Sequence, residues 1–266
     1  MRPFVWRVPQ QVLDALPPAV RAMIPPIVVR NFRFLDVCAG RARITKWAML
    51  HGMLGAAVDS NYGDHMDICS DIGFALLVTC LLRVVVGGLM FLGPRCSSWV
   101  WMSRFVSRRS RRKPLGNKRR PFVAEGNKLN VRCGLACAIA SMIQVDWVIE
   151  QPASSLFFDT PLMKGVIKFN AARKITFPLS EYGHPALKMT MLVGTAAWLS
   201  TFAPRKRLCP KAKAKTKAKA KAKVSLVRRL AGQRVRGEPA ALKGSQVYPA
   251  RFALAVVAAH WPHESP

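Results

Sequence analysis

The stretch GFALLVTCLLRVVVGGLMFLG, Gly73–Gly93, decides what kind of protein this is. Taken whole, it is roughly long enough to cross a bilayer. Two features argue against that. Arg83 near its middle would be an expensive charge at membrane depth, and Gly87-Gly88 divides the run into a helix-length and a strand-length piece. The division predicts a helix over Gly73–Val86 and then a buried strand, GLMFLG, ending at Gly93. It favours a soluble core, leaves a membrane protein whose basic loops face the cytoplasm as a second alternative, and disfavours a membrane as partner.

Outward from this unit the same alternation continues. Upstream, FRFLDVCAG reads as a buried strand running into a glycine turn, ARITKWAMLHGML has apolar residues at helical spacing, and GAAVDSN is a second strand ending in Asp59. Downstream come a basic loop (Arg104–Pro121), a long helix over about Val123–Ile143 and the strand DWVIEQP. A helix or loop near Pro161–Asn170 and strands at KITFPLS and MTMLVGT follow. Strands and helices alternating at these lengths predict an α/β domain, a parallel sheet with helices on both faces. The expected organisation is a Pro- and Arg-containing lead (1–31), this domain (32–202), a Lys/Ala-rich basic linker (203–243), and a C-terminal segment (244–266) whose YPARFALAVVAAHW forms a helix docking on the domain.

The chain of 266 residues is long enough to bury a core without disulfide staples. Its net charge of +29, from 42 Lys+Arg against 13 Asp+Glu, points to a polyanionic partner, nucleic acid before anionic membrane. The seven cysteines are odd in number and lack the paired spacing of a zinc site. They read as reduced thiols of a nuclear or cytoplasmic protein with no metal. Prolines interrupt the N-terminus, which lacks the apolar core of a secretory signal; Arg2, Arg7, Arg21 and Arg30 against Asp14 keep an organelle transit segment as an alternative.

In open α/β sheets ligands bind beyond the C-terminal strand ends. Those ends here carry Gly40, Asp59, Cys96 and Glu150. Gly40 lets backbone approach a ligand, or simply turns the strand into the helix. Asp59 is placed to accept hydrogen bonds from ribose hydroxyls, or caps a helix. Cys96 follows Arg95 and precedes Arg104, Arg108 and Arg109, a positive setting that favours a thiolate. Glu150 suits a general acid or an anchor for a base ring, or pairs with one of the many arginines. Of Trp99 and Trp101, core filling is the favoured reading.

The order of these motifs resembles the cytosine-5 DNA methyltransferases. FLDVCAGRAR is similar to that family's opening strand and glycine loop, AAVDSN to its ribose-binding strand, and HMDI, with Asp67 and Ile68, to its adenine-contacting turn. LGPRCSSW resembles the catalytic GPPCQxFS, WVIEQPASS the ENV or ENP turn, YGHPALKMTMLVG the YGxPQxRxRxxxVG segment, and GSQVYPARFALAVV the closing GNAVPPxLAxAI. The resemblance implies a Rossmann-like methyltransferase sheet binding S-adenosyl-L-methionine through Asp36, Gly40, Asp59, Asp67 and Ile68. It implies a cytosine flipped from the stack, with Cys96 as nucleophile, Glu150 on ring nitrogen 3 and Lys188 as polar support. Nucleic acid, DNA ahead of RNA, is then expected at Arg95, Arg104, Arg108, Arg109, Arg111 and Arg112. Arg95 stands where the family has the second proline of PPC, Gln151 where it has asparagine, and Thr190 where it has the second arginine. These departures keep a decayed, mobile-element-like nucleic-acid-binding protein as the alternative.

Overall fold

The computed structural model describes residues 4–202, 227–229, 235–237 and 247–262. The chain enters through an antiparallel ribbon, β1 (Phe4–Arg7) and β2 (Ile27–Arg30), linked by the short helices α1 (Gln10–Asp14) and α2 (Pro18–Arg21). Val8, Val12, Leu16, Val20, Ile24 and Val28 from this region are buried in the main core, so the expected lead is part of the folded body. Arg30 fastens it there, donating to the carbonyls of Val84 (2.6 Å) and Ile143 (3.1 Å).

Next come β3 (Phe32–Val37), α3 (Arg43–Leu50), β4 (Gly55–Val58), α4 (Asp71–Leu82) and β5 (Val84–Leu92). The decisive stretch is thus a helix followed by a strand, but the boundary lies earlier than expected. Ser70 caps α4 by accepting from the Gly73 amide (2.9 Å), and the helix ends at Leu82. Val84–Val86, assigned from sequence to the helix, belong to β5; three β-branched residues in a row favour the pleated backbone. Arg83 sits at the junction, its guanidinium 4.0 Å above the Phe32 ring and bonded to Asn31 (3.1 Å). Among the described residues no helix is long and apolar enough to cross a membrane.

A short helix α5 (Arg104–Ser107) and the long α6 (Pro121–Met142) lead to β6 (Asp146–Pro152); α7 (Pro161–Phe169), β7 (Arg173–Pro178) and β8 (Met189–Gly194) follow. The six-stranded sheet has the order β4-β3-β5-β6-β8-β7. The pairs β4-β3, β3-β5 and β5-β6 are parallel, whereas β8 runs antiparallel to both neighbours, correcting the all-parallel expectation. The cause is the short connection from Pro178 to Met189, which makes a hairpin and cannot make a crossover.

Alternation along the strands divides the core. Leu35, Val37, Met90, Leu92, Trp147 and Ile149 face α4, α6 and α7. Phe34, Leu89, Phe91 and Val148 face α3 and the C-terminal helix α8 (Ala250–His260), which docks on the domain through Phe252, Ala253, Val256 and Val257. Helices therefore cover both faces of a mostly parallel sheet, an arrangement compatible with a Rossmann-like fold. The Lys/Ala-rich linker of 203–243 lies outside the described residues, apart from a two-stranded ribbon, β9 (Val227–Arg229) with β10 (Val235–Gly237).

Candidate active site

The chain reverses its direction of winding between β3 and β5, because β4 lies on one side of β3 and β5 on the other. Such a switch point opens a crevice beyond the strand ends. Two cavities occupy it, of about 670 and 350 Å³, with Cys38, Gly40, Asn61, Gly93 and Arg95 in the walls of both. Gly93 forms part of this shared wall for a steric reason: a Cβ there would lie 2.5 Å from the Tyr248 hydroxyl.

The smaller cavity is lined by Asp59, Asn61, Asp67 and Ile68, with apolar Val58, Met66 and Leu129. Asp59 is buried and heavily engaged. One carboxylate oxygen accepts from the Gly40 amide (2.8 Å), the other from the amide and side chain of Asn61 (2.8 and 2.6 Å). Asp59 thereby holds the loop in which Gly40 takes a left-handed φ of 58°. Asp67 accepts from the Cys69 amide (2.9 Å), fixing the turn that presents Ile68. Asp36 corrects the expectation that it binds a cofactor. It lines neither cavity, because strand alternation turns it toward α3, where it accepts from the Thr45 hydroxyl (2.9 Å) and amide (3.3 Å). Burial pushes its carboxyl up to about 7, with the nearby Asp59 adding to the shift.

The larger cavity brings together Cys96, Glu150 and Lys188, which lie far apart in sequence. Glu150 is on the α8 side of β6 by the same alternation. Tyr248, just before α8, donates its hydroxyl to Glu150 Oε2 (3.1 Å), and Lys188 Nζ stands 3.8 Å from Oε1. Oε1 is buried without a hydrogen-bond partner, a costly condition that a donor from a ligand would relieve. The Tyr248 phenol is raised well above its usual range by burial and by Glu150, so it acts as a donor. Gln151 faces the opposite way, donating to the Pro94 carbonyl (2.6 Å) and accepting from the Ser155 hydroxyl (2.8 Å). It ties the end of β6 to the loop bearing Cys96.

The electrostatics of Cys96 differ from the sequence expectation. Burial pushes the thiol up, Glu150 pushes it further, and the nearby cation pulling it down is Lys188. Arg95 instead pairs with Glu125 (3.0 Å), and Arg104 donates to the Ser154 carbonyl (3.1 Å). Arg109 is a second correction: it is 2% exposed and cannot serve as a phosphate contact. Its guanidinium lies 3.4 Å from the centre of the Trp99 ring and donates to Ser98, Asn127 and the carbonyls of Pro114 and Val123. It stiffens the loop from inside. Arg104, Arg108, Arg111 and Arg112 are exposed, as the basic-loop reading requires. Trp99 is core as expected, whereas Trp101 is exposed.

Sequence reasoning missed Tyr248 as a site residue. The closing-segment resemblance returned its neighbourhood to the cleft, but nothing in the chain marks a phenol 98 residues beyond Glu150 as its partner. Gln151 and Arg109 were noticed for the wrong reasons, one as a departure and one as a surface cation. Among the described residues no group of His, Cys, Asp or Glu is placed to hold a metal ion. No protein-family model matches the chain, and no curated protein matches it.

Proposed function

We propose that the chain is an S-adenosyl-L-methionine-dependent methyltransferase acting on cytosine in nucleic acid, DNA ahead of RNA, with Cys96 as nucleophile. The observation that carries this reading is the junction of the two cavities at the switch point: Cys96, Glu150 and Lys188 line one, Asp59, Asp67 and Ile68 the other. The smaller cavity suits an adenosine. Three donors occupy the Asp59 carboxylate, which offers about four acceptor positions, so one remains for a ribose hydroxyl, and Ile68, Met66 and Leu129 supply apolar surface for a flat ring. The cofactor, when bound, supplies a methyl group on a sulfonium.

The larger cavity supplies the remaining chemistry. A cytosine must leave the stack to reach it. Glu150 Oε1 accepts from the exocyclic amine or, once protonated, donates to ring nitrogen 3, while Tyr248 keeps the other oxygen fixed. The thiol is held neutral in the empty cleft by burial and by Glu150. Once a proton is shared between Glu150 and the base, that repulsion weakens and Lys188 favours the thiolate, coupling nucleophile activation to substrate arrival. The thiol proton passes by way of Glu150 to nitrogen 3 as sulfur bonds to carbon 6, which makes carbon 5 nucleophilic; once carbon 5 carries the methyl group, loss of its own proton expels the thiolate and restores the ring.

Radiolabelled S-adenosylmethionine incubated with duplex DNA should give alkali-stable incorporation that disappears in Cys96→Ala. The raised thiol favours a second reading, a nucleic-acid-binding protein of the same fold without transfer. Retained DNA binding with no incorporation in the unmodified protein would select it.

A further inference from the structure

Two cations in the larger cavity have no part in the arrangement above. Arg41 and Arg43 both line it beside Cys96 and Glu150, and no described carboxylate pairs with either. The other cations there are engaged, Arg95 with Glu125 and Lys188 with Glu150, and Glu150 is the single acid of the lining. Among the described residues, then, the lining carries two positive charges with no carboxylate paired to them. Cys38, Gly40 and Ala42 take left-handed φ values of 54°, 58° and 48° at alternate positions, a tight curl whose Cys38, Gly40 and Ala42 amides are held by Val58, Asp59 and Ala39 and which brings Arg41 and Arg43 to one side of the crevice. Directly after this curl α3 begins at Arg43 with no side-chain cap.

At the same time Glu150 lines this cavity with a buried Oε1 that has Lys188 at 3.8 Å but no hydrogen bond, and a donor would complete it. A ligand that satisfies the whole lining carries a donor at one end and an oxyanion at the other. We propose that Arg41 and Arg43 form an oxyanion subsite of the Cys96 cavity. Guanidinium groups suit the planar, two-oxygen face of phosphate or carboxylate. Within the function proposed above, on which this inference rests, such an oxyanion has two sources: the 5′-phosphate of the target nucleotide and the carboxylate at the amino-acid end of the cofactor.

Equilibrium binding by calorimetry at low salt separates them, comparing the intact protein with an Arg41→Gln/Arg43→Gln double variant whose thermal melting is checked first. Deoxycytidine 5′-monophosphate is set against deoxycytidine, and S-adenosylhomocysteine against methylthioadenosine, which lacks the carboxylate. The intact protein should prefer the oxyanion-bearing member of at least one pair by roughly tenfold, and the double variant should lose that preference. The pair that shows it identifies the source. A preference surviving in the double variant, or no preference in either pair, overturns the subsite. Equal, measurable binding of both adenosine compounds, with no preference in the cytidine pair, removes the subsite while leaving the cofactor reading intact. Failure of both adenosine compounds to bind removes the cofactor reading, with the subsite then surviving only on a preference for the phosphorylated cytidine.

Discussion

Asp59 and Glu150 are both carboxylates buried at strand ends on the same crevice, yet their surroundings are opposite. Asp59 receives three hydrogen bonds from its own chain and serves as a structural clasp for the Gly40 loop. Glu150 receives one, from Tyr248, and leaves Oε1 without a hydrogen-bond partner beside Lys188. One carboxylate is nearly filled by its own chain and the other is not. The difference separates a group that shapes a site from one that waits for something to enter it, although the two look equivalent in sequence.

The largest effect should come from removing the clasp. Asp59→Ala removes the acceptor shared by the Gly40 and Asn61 donors and should lower stability by about 3 kcal/mol, taking affinity for adenosine compounds with it. Glu150→Gln, by contrast, removes a buried, half-satisfied charge and should change stability by no more than about 1 kcal/mol in either direction. Urea denaturation of the two variants tests the contrast. Equal losses would abolish it.

A third carboxylate sharpens the comparison through pH. Asp36 is raised to about 7 in the folded protein by burial and by the charge of Asp59, against an ordinary value of 3.8. Because its folded value lies above its unfolded one, its contribution to stability is full below about pH 4 and is lost as pH rises toward 7. The stability difference between the protein and Asp36→Asn should therefore fall across that window, by at most about 4 kcal/mol, and then level off. A difference independent of pH would mean that Asp36 keeps an ordinary carboxyl and that the clasp's charge is not felt beneath α3.

Much of the architecture was legible because it rests on periodicity. Leu89 and Phe91 against Met90 and Leu92 is the alternation of a strand buried on both faces, and Gly40, Asp59, Cys96 and Glu150 follow from where strands end. What escaped was set by contacts between distant segments. Val84 is drawn into the sheet by its pairing with Phe32 at the start of β3, although the apolar run of Val84–Val86 continues that of the helix before it. Arg109 reads as one more cation in a basic loop, and only the packing of α6 against that loop makes it a core residue beneath Trp99. Asp36 sits one residue before a buried strand end, and its orientation toward Thr45 follows from the pleat alone.

The smallest effect concerns the bond that makes Glu150 half-satisfied. Tyr248→Phe keeps the ring that packs edge-on against Phe91, at 5.9 Å between centroids, and deletes the donor to Oε2. In the unmodified background the loss should be about 1 kcal/mol, because a second carboxylate oxygen is left buried without a partner. In a Glu150→Ala background the same change should cost nothing or stabilise slightly, since the phenol there has lost its acceptor. A double-mutant cycle built on these two positions isolates the bond from the packing of the ring. A coupling near 1 kcal/mol assigns Tyr248 to positioning the carboxylate. A coupling near zero would make it a wall residue and leave Glu150 fixed only by Lys188, so that the open and the complete sides of the cleft would differ in charge alone.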